Sequence, residues 1–176
     1  MNKVIMNAED INRSLDRLSL EILERNHGVE DLAVIGIHTC GVFLADRIRQ
    51  KINAREQGAL HTGSLDIPLY RDDWSLISQN PIVKKTDIGF TVENLRVVLI
   101  DDVIFTGRTI RAAMDAIMDY GRPDSIQLAV LVDRGGRELP IQPDFVGMTV
   151  MAGSNEQVDV LLTENAGRDE VVVHEK

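Results

Sequence analysis

The sequence predicts an α/β fold, a central mainly parallel sheet flanked by helices. Three apolar runs, at residues 32–37, 97–100 and 125–132, are too continuous for strands with one wet face and read as strands buried on both. The first two are each followed by a helical stripe, Leu44, Ile48 and Ile52 after one and Ile110, Ala113, Met114 and Ile117 after the other. Each run also ends in a glycine-containing turn: IGIHTCG, DDVIFTGRT and VDRGG. In an open α/β sheet, ligands lie beyond the carboxyl ends of the strands, so these turns are the places to look for chemistry.

The remaining elements follow in order. Asn7 suits the N-cap of a helix whose apolar residues Ile11, Leu15, Leu18 and Ile22 recur at helical spacing, and Asn26-His27-Gly28 supplies its stop. Residues 63–70 alternate Leu65, Ile67 and Leu69 with polar positions and reach Pro68, as a half-exposed edge strand does. From Arg71 to about Phe90 periodicity fades, and a loop that long inside a domain is usually functional or disordered. Gly121 and Pro123 close the helix after the central turn. Apolar segments at 145–150 and 158–162 follow, and 171–173 reads as a last edge strand.

Composition narrows the setting. A chain of 176 residues with 44% apolar content is most simply one domain, residues 1–176. The amino terminus has no signal-peptide core, and no apolar run is long enough to span a bilayer. Cys40, the one cysteine, excludes a disulfide framework and fits a reducing cytoplasm. A net charge of −9 argues against nonspecific nucleic-acid binding, though a local basic patch is compatible with it.

The turn at residues 101–109 carries the most specific signal. Two carboxylates, Asp101 and Asp102, close the strand, and Thr106-Gly107-Arg108-Thr109 opens the helix. Backbone N–H groups, two hydroxyls and the positive end of a helix dipole are what a phosphate requires. The carboxylates suit sugar hydroxyls or a nearby Mg²⁺. Together they suggest a ribose 5-phosphate held at both ends. A P-loop is excluded because GxxxxGK[ST] does not occur.

Acidic pair, apolar spacer and Thr-Gly-x-Thr resemble the phosphoribosyl pyrophosphate (PRPP) signature of type I phosphoribosyltransferases. The segments ILERNHG, IGIHTCG, DIPLYRDDWS, DDVIFTGRTIRAAMDAI and GRPDSIQLAVLVDRGGRELPI narrow the resemblance to the PyrR family, bifunctional pyrimidine operon regulators and uracil phosphoribosyltransferases. The resemblance implies a type I phosphoribosyltransferase fold with a small hood and a flexible loop. It also implies conversion of uracil and PRPP to UMP and pyrophosphate with Mg²⁺, binding of pyrimidine operon leader RNA, and a homodimer or higher oligomer.

Carried onto this chain, the resemblance gives Asp101 and Asp102 the ribose hydroxyls, and Thr106, Gly107, Arg108 and Thr109 the 5-phosphate. Arg71 meets the pyrophosphate, with Thr39, Cys40 and Gly41 lining its other side, and Asp133 and Arg134 frame uracil. Mg²⁺ is held by PRPP and water, with no direct side-chain ligand. Arg17, Arg25 and Arg137 are the candidate RNA contacts. Where RNA-binding members often carry basic residues, this chain has Leu20, Gln142 and Met148, and Gly136 replaces a bulkier or basic residue. Cys40 stands where many members have Arg, and it reads as a passive loop residue because no base is near it in sequence. Weak or altered RNA binding and slow uracil turnover are the expectations. Competing readings are an RNA-binding attenuator that uses the nucleotide site as a sensor, and a purine transferase, against which VDRGGRELPI stands.

Overall fold

A computed structural model of the chain describes residues 3–67 and 85–176. Five strands form the larger sheet: β2 (Leu32–Ile37), β3 (His61–Leu65), β4 (Arg96–Ile104), β5 (Ser125–Asp133) and β6 (Phe145–Thr149). They lie in the order β3-β2-β4-β5-β6, every pair parallel. Helices α1 (Ala8–Asn26) and α2 (Cys40–Asn53) cover one face, and α3 (Arg108–Met118) covers the other. The continuous apolar runs are explained by this sandwich. Along β4, Val98 and Ile100 pack with α1 and α2, while Val97 and Leu99 pack with α3.

Strand order decides where a ligand can sit. From β2 the chain steps outward to β3; from β4 it steps the other way to β5 and β6. The order therefore reverses between β2 and β4, and loops leaving their carboxyl ends diverge to opposite faces and open a crevice. Those loops are residues 38–39 and 105–107.

Local signals set the ends of α1. Asn7 Oδ1 accepts the Asp10 N–H at 3.0 Å and Asp10 Oδ2 accepts the Asn7 N–H at 3.1 Å, a reciprocal capping box. His27 stops the helix in the left-handed region at φ 56°, and the Gly28 N–H returns to the Leu23 carbonyl. Just before that stop, buried Asn26 exchanges two amide hydrogen bonds with Gln127 of β5, at 2.9 and 3.0 Å. The pair fixes the helix against the sheet.

The two ends of the chain build a second, antiparallel sheet in the order β1-β8-β7, from β1 (Lys3–Met6), β7 (Glu156–Leu161) and β8 (Glu170–Glu175). This corrects the reading of 171–173 as an edge strand: β8 is the middle strand, with Val171 and Val173 buried. A single turn of helix, α4 (Thr163–Ala166), joins β7 to β8. Strand β1 carries no alternation of its own and gains its ladder only from β8. Among the described residues no helix is long and apolar enough to cross a membrane.

Residues 68–84, which include Pro68, Arg71 and Trp74, lie outside the described residues. The remainder of the predicted loop is tied to β3. Asp87 bridges Ser64, Thr86 Oγ1 accepts the Asp66 N–H, and Phe90 stacks on His61 with ring centroids 5.0 Å apart.

Candidate active site

Strand β4 runs four residues past its apolar core, to Ile104, because Asp101 and Val103 continue the ladder with Val130 and Val132 of β5. Both carboxylates therefore sit on rigid strand backbone. Asp101 is buried, and its Oδ1 accepts the Asp102 N–H at 2.9 Å. Asp102 is half-buried, and its Oδ1 accepts the Val103 N–H at 2.9 Å. Such local bonds hold carboxylate oxygens at fixed angles.

Gly107 follows at the N-cap of α3 with φ 91°, a conformation that turns the chain sharply from strand to helix and that favours glycine. The Thr106 hydroxyl accepts the Arg108 N–H at 3.2 Å. First-turn amides of a helix have no carbonyl partners within it, and they face the same way as the dipole's positive end. A cavity of about 470 Å³ opens here, lined by Thr106, Gly107, Arg108, Thr109, Phe105 and Arg134 among others. That size suits a mononucleotide-scale ligand.

Residues 133–139 form the far wall. The Thr106 carbonyl accepts the N–H groups of Glu138 and Leu139, and the Ile104 carbonyl accepts that of Arg134. The loops after β4 and β5 are thereby bound into one unit. Arg108 Nε donates to Glu138 at 2.7 Å across the two loops. Arg134 is buried, its guanidinium 4.0 Å above the Phe105 ring centroid, and its Nε has no hydrogen-bond partner. Phe105 lies back into the space above Gly136, where a Cβ would come within 2.4 Å of the ring. Phe105 as a wall of the site is not legible in the sequence, because a spacer residue between two motifs reveals its orientation only in three dimensions.

Across the strand-order reversal stands the loop at Thr39, Cys40 and Gly41. The His38–Thr39 peptide is cis. A Cβ on Gly41 would meet the Ile100 carbonyl oxygen at 2.4 Å and Asp101 Cα at 3.2 Å, so α2 begins directly on the backbone of β4. Burial pushes the Cys40 thiol up to about 11, with the negative charge of Asp102 adding to the effect. At neutral pH it is a protonated, unreactive thiol, in keeping with a passive loop residue.

Not every predicted residue faces this crevice. Asp133 is held by Arg137 in a bidentate pair at 2.9 and 2.7 Å. Burial works to raise the Asp133 carboxyl, but Arg137 and the Gly135 N–H hold it below the usual range. Arg137 also donates to the carbonyls of Ile141 and Phe105, so it braces the far wall from within. On α1, Arg17 pairs with Glu21 and donates to the carbonyls of Val146 and Gly147, while Arg25 pairs with Asp144. All three arginines nominated for RNA thus have partners inside the chain. Arg71 lies outside the described residues.

The phosphoribosyl transferase domain model matches residues 3–161. A relative described as bifunctional protein PyrR, from Thermoanaerobacter sp. (strain X514), is 55% identical over 172 residues, covering 98% of this chain and 97% of its own length. The chain belongs to the PyrR family of phosphoribosyltransferases. Another PyrR relative, from Syntrophobacter fumaroxidans, is 49% identical over 174 residues, covering 99% of this chain and 94% of its own. Among solved structures, a hypoxanthine phosphoribosyltransferase from Staphylococcus aureus aligns with a TM-score of 0.70 at 19% identity, covering 99% of this chain and 92% of that one. The same architecture recurs in a hypoxanthine phosphoribosyltransferase from Trypanosoma cruzi, with a TM-score of 0.70 at 19% identity over 98% of this chain and 96% of that one. This PyrR-family chain therefore has the type I phosphoribosyltransferase fold, with the chain-end sheet as its small second layer.

Proposed function

We propose that the chain is a uracil phosphoribosyltransferase of the PyrR type, forming UMP and pyrophosphate from uracil and PRPP. One observation carries this reading. The acidic pair and the Thr106–Thr109 turn leave the same strand in succession, at the point where strand order reverses. PRPP presents the matching chemistry in the matching order, with ribose hydroxyls between a 5-phosphate and a pyrophosphate.

In this reading the start of α3 takes the 5-phosphate through Thr106, Gly107, Arg108 and Thr109. Asp101 and Asp102 accept hydrogen bonds from the ribose hydroxyls. The bond from ribose C1 to the pyrophosphate oxygen breaks as uracil nitrogen bonds to C1, and the nitrogen proton is lost. One of the two aspartates receives it in this reading, and the greater accessibility of Asp102 favours that one. Positive charge spreads over the ribose as the bond loosens, and carboxylates held at fixed angles by backbone N–H groups stabilise it without reorganisation. Thr39, Cys40 and Gly41 hold the departing pyrophosphate together with Arg71. Arg134, flat on Phe105, and Asp133 shape the uracil side.

Mg²⁺ takes hard oxygen ligands and keeps several waters, and two strand-end carboxylates fit that preference. Asp101 and Asp102 would hold it through water beside PRPP, where it would supply positive charge to the leaving pyrophosphate.

The chain also acts, in this reading, as a homo-oligomeric regulator of pyrimidine operon leader RNA, responsive to UMP. Arg17, Arg25 and Arg137 are each already paired with a carboxylate that a phosphate would have to displace, so RNA affinity is weak and has a shallow salt dependence. The deciding assay is UMP and pyrophosphate formation from uracil, PRPP and Mg²⁺ by the parent and by Asp102→Asn. Turnover that collapses in the variant supports the enzyme. A parent that binds UMP but makes none would leave the RNA regulator as the better reading.

A further inference from the structure

The chain-end sheet reaches the crevice by a path that neither motif uses. Arg47 lies about two turns beyond Cys40 on the same face of α2. Its Nε and Nη2 donate to the two oxygens of Glu164 at 2.8 and 2.6 Å, and its Nη1 and Nη2 donate to the two oxygens of Asp169 at 2.5 and 2.9 Å. One guanidinium is thus bidentate to two carboxylates, which takes four of its hydrogen-bond geometries and leaves little for a substrate. Asp169 Oδ1 also accepts the Thr163 N–H at 2.7 Å and the Thr163 hydroxyl at 2.8 Å. Arg47 and Asp169 are both mostly shielded from solvent, where such bonds hold more firmly than on an open surface.

What this cluster anchors is the α4 turn, and that turn touches the crevice. Asn165 Nδ2 donates to Cys40 Sγ at 3.5 Å, and the Asn165 side-chain oxygen is fixed by the Leu162 N–H at 3.1 Å. Cys40 Sγ also lies 3.7 Å from the Val160 carbonyl of β7. Leu162, between them, is fully buried in the core under α1 and α2. Asn165 and Val160 thus meet the first residue of α2 from the chain-end sheet.

We propose that Arg47 is a positioning residue: by locking the α4 turn onto α2 it holds Asn165 against Cys40 and so fixes the Thr39–Cys40–Gly41 loop. The consequence for PRPP rests on the function proposed above; the lock itself does not.

Cys40 is the only cysteine in the chain, so its labelling by a neutral pyridyl disulfide reports this loop alone. Attack by the thiolate forms a mixed disulfide and releases a pyridinethione that is read by absorbance. The parent should label slowly. Arg47→Met should label about tenfold faster, because a turn no longer locked onto α2 opens more often and admits the reagent to the thiol. Asp169→Asn should accelerate labelling in the same direction, and it keeps the test alive if Arg47→Met fails to fold. Arg47→Lys should restore the parent rate only in part, because an ammonium lacks the fork. Arg13→Met, which loses an exposed pair on α1 and the same charge, should label as the parent does. A parent-like rate in both Arg47→Met and Asp169→Asn, or equal acceleration in Arg13→Met, overturns the proposal. Steady-state kinetics then separate the two readings. If the loop holds pyrophosphate, Arg47→Met raises KM for PRPP and leaves KM for uracil unchanged. Faster labelling with KM for PRPP unchanged would keep the lock and remove the pyrophosphate from the loop.

Discussion

The loops after β2 and β4 occupy equivalent places in the sheet, yet they are built by different means. The β4 loop supplies its own geometry. Two aspartates bond to the next residue's N–H, Gly107 turns the chain, and Thr106 caps the first amide of α3. The β2 loop borrows its geometry. Its helix starts pressed onto the backbone at Ile100 and touched by Asn165 from the opposite end of the chain. A self-contained loop can be recognised from a dozen residues; a borrowed one cannot. The same difference predicts how each will fail.

The largest effect should come from the self-contained loop. Asp102→Asn keeps the shape of the side chain and removes the charge, and loss of such an electrostatic contact typically costs a factor of about 10² or more in turnover. Folding should be nearly untouched, so melting temperature measured beside turnover checks both halves. A large loss of stability would mean that Asp102 is structural and would erase the contrast between the loops.

Gly41→Ala strikes the borrowed loop and should reverse that pattern. The new methyl would meet only backbone atoms of β4, which cannot swing aside as a side chain can. Overpacking costs about 1–3 kcal/mol, and a backbone obstacle belongs at the upper end. For a chain of this size that lowers the melting temperature by roughly 2–4 °C per kcal/mol. Stability and PRPP affinity should fall together. A stable protein with parent-like KM for PRPP would show that the β2 loop is looser than its packing implies.

How much could be read from the sequence follows the same division. Strand β2 has the bounds its apolar run predicts, and α1 has the cap and stop that Asn7, His27 and Gly28 predict, because burial and capping are local signals. The acidic pair and the Thr106–Thr109 turn lie together for the same reason. Strand β1 was illegible because its four residues become a strand only through β8, more than a hundred positions away. Arg137 was misleading in another way. A surface-type residue in a polar turn reads as solvent-facing, whereas five oxygen acceptors turn it inward. Arg47, Glu164 and Asp169 carry no local pattern at all.

Gly107→Ala sharpens the comparison at a smaller scale. Its Cβ would find ordinary contacts, the nearest being Ile141 and Leu139 at 3.5 Å, so space is not the obstacle. The obstacle is φ 91°, which costs a residue with a Cβ about 1–2 kcal/mol. The chain can relieve that strain by tilting the first turn of α3, at the expense of the phosphate amides. KM for PRPP should rise more than the stability loss alone accounts for, whereas Gly41→Ala should move both together. Equal behaviour of the two variants would mean that neither loop is more self-sufficient than the other.

Acid provides the gentlest probe of the borrowed loop. Hydrogen bonds from Arg47, with help from Thr163, hold the Asp169 carboxyl down to about 2, against 3.8 for an ordinary aspartate. A carboxyl with a depressed folded-state pKa contributes stability that is present above its unfolded value and is lost as pH falls through the folded one. The lock should therefore be intact above about pH 4 and fade toward pH 2. In Arg47→Met the share that Arg47 supplies is already gone, for Glu164 as for Asp169, while the Asp133 carboxyl, lowered by Arg137, titrates in parent and variant alike. The melting-temperature gap between parent and Arg47→Met should narrow across that window as acid is added. A gap that stays constant from pH 5 to pH 2 would mean that Arg47 holds the turn by packing its aliphatic stem rather than by charge. The borrowed loop would then depend on shape, and Arg47→Lys would serve it as well as arginine does.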